Sequence, residues 1–188
     1  HSRRGDDPVV SVADLPDIAA AVQAVIKVLT SSKQGVLKNK NAIEAVGHRI
    51  VHGGEKFTAP AIITPEIKRA IEACYHLAPL HNPPSMEGIL ACEKTLPGVP
   101  QVAVFDTAFH HTMPDKAAIY ALPYEFYEKY DIRKYGFHGI SHKYVTQKAA
   151  EILGKPVEKT NLVICHNLVM YSGFRALPDL VYAKKLPY

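Results

Sequence analysis

The chain has 188 residues, 47% hydrophobic and 21% charged, an ordinary globular composition that excludes a disordered chain. Lys and Arg exceed Asp and Glu by 22 − 18 = 4, and because this surplus forms no basic run, it argues against a dedicated nucleic-acid binder. No apolar run approaches the roughly 18 residues of a membrane span, and HSRRGDDP at the start lacks the apolar core of a secretory signal. Three scattered cysteines (Cys74, Cys92, Cys165) without a CxxC pair predict reduced thiols and a cytoplasmic location.

Hydrophobic periodicity predicts alternating helices and strands. Asp14 as N-cap and Pro16 in the first turn open a predicted helix over 16–31. The other predicted helices are 64–76, opened by Thr64; 85–96, with Met86, Ile89 and Leu90 towards the core; a short one in PYEFYEKY (123–130); and 141–153, with Ser141 as N-cap and Gly154 as its stop. The predicted strands are 42–52, 99–105 and 162–165. This order predicts an α/β fold with a layered sheet.

Ligands in such sheets bind beyond the carboxyl ends of the strands. This rule predicts that residues 49–54, 106–113 and those from 166 onwards lie near one another. Arg49 lies inside the first predicted strand, where a guanidinium needs either a bound anion or an internal salt bridge, to Glu44 or Glu55. The Gly53-Gly54 pair predicts a close approach of the backbone to another group.

Two other segments contain candidate functional side chains. One precedes a pair of prolines, and the other follows a predicted strand. His81 and Asn82 precede two prolines that fix the chain, and Asn82 can equally act as a helix cap. Asp106 follows a buried strand, where α/β enzymes keep acids, bases and metal-binding groups, although a turn or cap role explains the same position. The neighbouring His110 and His111 cannot easily chelate one metal from a regular strand, because adjacent side chains point to opposite faces.

Glycines flank Phe137-His138 just before a predicted helix whose N-terminal N–H groups favour an anion; a surface turn is the alternative. A guanidinium, several imidazoles, a carboxylate and a helix N-terminus together suit phosphoryl transfer. The sequence contains no Walker A loop, no GxGxxG and no HExxH motif. These residues predict an α/β enzyme acting on an anionic, phosphorylated substrate, with a metal hydrolase built on His110, His111 and Asp106 as a weaker alternative.

Five segments resemble the acetate kinase family: GHRIVHGGEKFT (47–58), PLHNPP (79–84), VPQVAVFDTAFHHTMP (99–114), YALPYEFYEKYDIRKYGFHGISHKYV (120–145) and NLVICH (161–166). The resemblance covers about residues 40–166. It implies the ribonuclease-H-like fold of the acetate/sugar kinase, Hsp70 and actin superfamily. It also implies reversible phosphoryl transfer from ATP to acetate, giving acetyl phosphate and ADP. Propionate and butyrate kinases have similar motifs and remain alternatives.

The resemblance also implies roles for particular residues. Asp106 matches the active-site aspartate, and His138 the histidine that stabilises the transferring phosphoryl group. Arg49 matches the arginine that binds the acetate carboxylate or phosphoryl group, and His81 a histidine that assists phosphate binding.

The substrate's methyl group is expected in an apolar pocket walled by Val51, Leu80 and Phe137, and His166 is expected in nucleotide binding. The resemblance implies Mg²⁺ and ATP, most of whose ligands it places outside this chain, so no metal ligand is assigned here. It further implies a homodimer for full-length family members.

The chain departs from the family pattern at both ends. It is expected to open inside the first domain, so that 1–166 form an incomplete N-terminal domain. After His166 the family has a Gly-Asn-Gly turn, whereas this chain reads Asn167-Leu168-Val169. We interpret 167–188 as a non-family tail from a reading-frame shift or an artefact of gene prediction; an in-frame continuation at the source locus without a nearby Gly-Asn-Gly turn would refute this. The chain is therefore expected to be weakly active or inactive, and a non-catalytic module that binds small anions is the alternative.

Overall fold

The computed structural model describes residues 10–33 and 35–159 with their side chains, and the backbone of 164–166 and 179–181. It divides into two compact units, His1–Phe137 and His138–Tyr188, which are described separately. Residues 162 and 163 of the predicted strand at 162–165 lie outside the described residues, as does the tail at 167–188 apart from 179–181. Within the described ranges, no helix combines the length and apolar character that crossing a bilayer requires.

The first unit contains most of the regular structure. Its elements in chain order are α1 (Ile18–Leu29), β1 (Val46–Ile50), β2 (Ala61–Ile62), α2 (Pro65–Ala73), α3 (Asn82–Thr95), β3 (Gln101–Phe105), α4 (Asp115–Ala118) and α5 (Glu125–Tyr130). The second unit contains α6 (Gly139–Leu153), a 3₁₀ turn at Val157–Lys159, and the antiparallel strands β4 (Ile164–His166) and β5 (Asp179–Val181).

The sheet of the first unit has the strand order β1-β3-β2. Strands β1 and β3 run parallel, with Ile50 opposite Phe105, while β2 is antiparallel to β3. The α/β class with a mixed sheet and flanking helices is therefore confirmed. Strand β2 was not predicted, since two residues are too few to establish a period. The parallel pair is the feature that matters for function, because it brings the segments after Ile50 and Phe105 to one edge of the sheet.

Several predicted boundaries were wrong by a few residues because local caps decide where a helix begins. Helix α1 starts at Ile18, since Asp17 and not Asp14 accepts the Ala20 N–H, at 2.6 Å. Strand β1 starts at Val46 and ends at Ile50, not at 42 and 52, after a 3₁₀ turn at Lys40–Ala42. Thr64 caps α2 as predicted, although that helix ends at Ala73.

Helix α3 begins at Asn82, three residues before the predicted start, and its buried face includes Met86 and Ile89 as expected. Leu90 was wrongly placed in the core: it is 50% exposed, because consecutive helical residues lie about 100° apart. In the second unit, α6 begins at Gly139 after a left-handed His138 (φ 55°) and not after Ser141, whereas Gly154 ends it in the left-handed region as predicted.

The core of the first unit surrounds the sheet edge where the two parallel strands end. It consists of Ile50, Phe57, Ile71, Met86, Ile89, Ala103 and Phe105. The rings of Phe57 and Phe105 stack with their centroids 4.0 Å apart. A Cβ on Gly53 would come within 2.8 Å of the Phe105 ring and within 2.9 Å of Phe57 Cβ, so the close approach predicted for the glycine pair is made to the protein's own core. This contact fixes the backbone that follows β1.

Candidate active site

Arg49 and Asp106 form an ion pair at the carboxyl ends of β1 and β3. Arg49 Nε donates to both Asp106 oxygens at 3.1 Å, and Nη2 donates to Oδ2 at 2.6 Å. The pair forms because the Asp106 N–H extends the ladder to Ile50 O, at 2.9 Å, and so holds Asp106 beside β1. The expected salt-bridge partners of Arg49, Glu44 or Glu55, were therefore wrong: the partner is Asp106.

Burial is very unequal in this pair, since the Asp106 side chain is 1% exposed and that of Arg49 is 58% exposed. The hydrogen bond to Asp106 raises the pKa of Arg49 above its ordinary value, and burial opposes this effect. The buried Asp106 carboxylate therefore holds the exposed Arg49 guanidinium in an orientation that faces solvent. A planar guanidinium held in this way suits a carboxylate or a phosphate group.

Asn82 joins the start of α3 to the segment after β1. Its Oδ1 accepts the His52 N–H at 3.1 Å, and its Nδ2 donates to His52 O at 2.9 Å. The side chain is completely buried, and α3 begins without any side-chain cap bond. The cap role considered for Asn82 was therefore wrong. The sequence offered no signal for the bridge, because the two residues are 30 positions apart.

A second bridge links the segment after β1 to that after β3. The Thr107 hydroxyl accepts the Gly53 N–H at 3.1 Å, and Thr107 is 3% exposed. Together with the Asn82 bridge, this bond ties the backbone after β1 to both neighbouring segments. The strand ends are consequently held by buried hydrogen bonds, which orient the groups that they carry.

His52 is a buried residue of this region that the sequence analysis missed. It is 2% exposed, and its Nδ1 accepts the Gly54 N–H at 3.0 Å. Desolvation by burial, together with the smaller effect of nearby His76 and against the opposing effect of Asp131, lowers the pKa of His52 to about 4. The imidazole is therefore neutral near pH 7, and its proton is on Nε2, because Nδ1 is an acceptor.

The loop from Asp131 to Phe137 packs on His52. The Tyr135 ring meets the His52 ring edge-on at 4.4 Å between centroids, and the Phe137 ring meets it at 5.6 Å. Gly136 (φ +74°) lies so close to His110 that a Cβ would come within 2.5 Å of that ring. The backbone at Gly136 therefore has little freedom, and Phe137 is held on the His52 side.

A second Arg–carboxylate pair anchors the same loop. Arg133 Nη1 donates to Glu55 Oε1, and the Tyr127 hydroxyl donates to Glu55 Oε2 at 3.0 Å. The guanidinium also lies 5.9 Å from the Tyr127 ring centroid and 5.6 Å from that of Tyr135. Here the arginine is the buried partner, with 9% of its side chain exposed against 41% for Glu55. Nothing in the sequence pattern indicated this pairing.

The structure brings together only some of the residues singled out from the sequence. It joins Arg49 to Asp106, and it places Phe137 against His52, the neighbour of Val51. His81 is exposed just before α3, and Leu80 is 82% exposed. His138 opens the second unit, where its ring lies 6.4 Å from that of His142. His166 is described only by its backbone, as the last residue of β4.

The described residues do not form a complete site for the divalent cation that the resemblance implies. No group of three or more His, Cys, Asp or Glu side chains able to hold an ion occurs within 10–33 and 35–159. Both Asp106 oxygens are engaged by Arg49. The metal-hydrolase alternative based on His110, His111 and Asp106 therefore receives no support from these residues.

These features define an α/β protein with an exposed arginine, held by a buried aspartate, at the ends of two parallel strands. The sequence model of the acetokinase family matches residues 2–168, and the chain belongs to this family. The match extends the resemblance noted above towards the N-terminus. The chain is 55% identical to the acetate kinase of Desulfitobacterium hafniense over 166 residues, which cover 88% of this chain. It is 58% identical to that of Acetivibrio thermocellus over the same length.

Solved structures show the same fold. An acetate kinase from Porphyromonas gingivalis matches with a TM-score of 0.78 and 50% identity, over 82% of this chain and 39% of that one. A propionate kinase from Francisella tularensis matches with a TM-score of 0.71 and 46% identity, over 79% of this chain and 37% of that one. The chain spans 42% of the length of the D. hafniense relative.

Proposed function

We propose that this chain carries the carboxylate- and phosphoryl-binding half of an acetate kinase site. The complete reaction is the reversible transfer of a phosphoryl group from ATP to acetate, giving acetyl phosphate and ADP. The observation that carries the proposal is the Arg49–Asp106 pair, in which a buried carboxylate orients an exposed guanidinium. Such a group neutralises the charge of a small carboxylate or of a phosphoryl group approaching it.

The other expected site residues would contact the phosphoryl group, the nucleotide and the methyl group of the substrate. Imidazole N–H groups of His81 and His138 can donate to phosphoryl oxygens, and backbone at His166 can approach the nucleotide. Val51, Leu80 and Phe137 form the apolar wall against the methyl group of acetate. A tight wall of this kind discriminates by about 1–3 kcal/mol per methylene.

The family implies ATP and a divalent cation, which would neutralise charge on the phosphates. Since the described residues offer no complete ligand set for the cation, we assign none of them to it. We also propose a cytoplasmic location, supported by the free, buried thiols of Cys74 and Cys92, and a homodimer for the full-length protein. The chain alone is expected to be a poor catalyst, because phosphoryl transfer requires groups on both sides of the phosphorus.

The test is thermal unfolding of the purified chain with acetate plus inorganic phosphate. At ten times the dissociation constant, binding raises the free energy of unfolding by about 1.4 kcal/mol. This gain should vanish in Arg49→Ala. Arg69→Ala is the matched control, since Arg69 is also exposed but pairs with Glu66 on the surface of α2. Equal stabilisation of wild type and Arg49→Ala would refute the proposed site.

The same measurements distinguish the alternatives. The similarity to a propionate kinase makes propionate the second candidate substrate, and stronger stabilisation by propionate than by acetate would favour it. A non-catalytic anion-binding module predicts stabilisation together with no acetyl phosphate in a coupled assay, even after the missing part of a relative is supplied as a separate chain. Normal rates by the chain alone would contradict the expectation of weak activity.

A further inference from the structure

We propose that His52 is a positioning residue that sets the acyl-chain length accepted by the site, by fixing the apolar wall. This inference rests on the proposed function, because it concerns the same carboxylate pocket. Its basis is the place of His52 relative to the three expected wall residues: Val51 is its chain neighbour, Phe137 packs on its ring, and Leu80 lies two residues before Asn82, which is hydrogen-bonded to the His52 backbone.

The contacts with the wall converge on one residue. Val51 is the chain neighbour of His52, and Phe137 packs on its ring at 5.6 Å between centroids. Leu80 precedes Asn82 by two residues, and the Asn82 amide is bonded to both backbone groups of His52. A displacement of His52 would therefore act directly on Val51 and Phe137, and on Leu80 through Asn82.

The His52 ring is itself held on several sides. Gly54 N–H binds Nδ1 at 3.0 Å, the Tyr135 ring packs at 4.4 Å, and the whole side chain is 2% exposed. Tyr135 is in turn fixed by its hydroxyl, which donates to Asp131 O at 2.9 Å, and by the neighbouring Arg133 guanidinium. The ring thus acts as a fixed spacer between the strand end and Phe137.

His52 is not placed as an acid or base. Nδ1 is already an acceptor for a backbone N–H, and burial keeps the ring neutral. Its shape, and not its proton, is what the site would use. Replacing it should therefore change selectivity between carboxylates of different length, and a ring of similar shape should restore that selectivity.

The experiment compares His52→Gln with His52→Phe in the full chain. Dissociation constants for acetate and propionate, each with inorganic phosphate, come from thermal stabilisation. His52→Gln removes the aromatic spacer, and the ratio of the two constants should change about tenfold, near the lower end of the effect of one methylene in an apolar pocket. His52→Phe keeps a ring but loses the acceptor for Gly54 N–H, so it should be destabilised and yet keep the wild-type ratio. If His52 had only a structural role, the ratio of the two dissociation constants would change equally in both variants.

Nitrogen NMR of the wild-type chain gives a readout that does not depend on either variant folding. The His52 signals should show an unprotonated Nδ1 and a protonated Nε2 at pH 7, with ring contacts to Phe137. A His52 ring that exchanges tautomers, or that lacks these contacts, would overturn the inference. Unchanged selectivity in His52→Gln would overturn the inference alone, whereas no carboxylate binding by wild type would overturn the proposed function and the inference together.

Discussion

Arg49–Asp106 and Arg133–Glu55 are two ion pairs of the same chemistry with reversed burial. In the first, the carboxylate is 1% exposed and the guanidinium 58%; in the second, the arginine is 9% exposed and the carboxylate 41%. The group that is exposed in each pair determines whether the pair can bind a ligand from solvent. Arg49 is presented to solvent and can meet an anion, whereas Arg133 lies beside two tyrosine rings and fastens a loop.

The largest loss of stability should come from removing the arginine of the first pair, which leaves its buried carboxylate without a partner. Arg49→Met leaves Asp106 buried without a counter-ion, and we expect the free energy of unfolding to fall by about 3 kcal/mol. Asp106→Asn leaves an exposed guanidinium that water solvates, so its cost should be about 1 kcal/mol. Denaturant unfolding of the two variants measures both. Equal losses would mean that burial does not distinguish the partners.

The second pair should show the opposite order. Glu55→Ala leaves the nearly buried Arg133 guanidinium without its carboxylate, at a cost of about 2 kcal/mol. Arg133→Met leaves a half-exposed carboxylate that still accepts from Tyr127, while the thioether packs near the rings, so the loss should be about 1 kcal/mol. The same unfolding experiment applies. Neither variant should abolish stabilisation by acetate plus phosphate, and loss of this effect in both would remove the functional contrast with Arg49.

The smallest expected effect, in mildly acid solution, is a pH dependence from His52, whose ring packs against Tyr135 beside Arg133. Its pKa is about 4 in the folded chain against an ordinary value of 6.5, so the unfolded state binds the proton first. Stability should therefore be full above pH 6.5 and fall as the pH drops towards 4, by about 1 kcal/mol between about pH 6.5 and 5.5.

His76, Asp131 and Tyr135 surround this ring, and their contributions are retained in His52→Phe, which serves as the control. The measurement is the difference between the two proteins' unfolding free energies at each pH. A wild-type protein whose stability relative to His52→Phe is constant between about pH 7 and 5 would show that His52 is not kept neutral by burial.

The α/β class, the strand-end location of Arg49 and Asp106, and the Thr64 and Gly154 helix signals were predicted from the sequence. These features depend on residue periodicity and on short-range rules for strands and caps. The same rules misplaced several helix ends and put Leu90 in the core. They failed there because neighbouring turn residues compete as caps, and because a helical face is resolved only when its packing partner is known.

The sequence by itself determined which groups stand at the ends of the strands, since strand periodicity and chain order are local properties. Only the tertiary structure decided which of them pair. Arg49 pairs with Asp106, 57 positions away, and not with Glu55, which is nearer in the sequence. The reason is that the parallel register of β1 and β3 brings the Asp106 carboxylate beside Arg49. The Asn82 bridge, the buried His52 ring and the Arg133–Glu55 pair have the same origin. Each depends on contacts between distant segments, and no local pattern encodes such contacts.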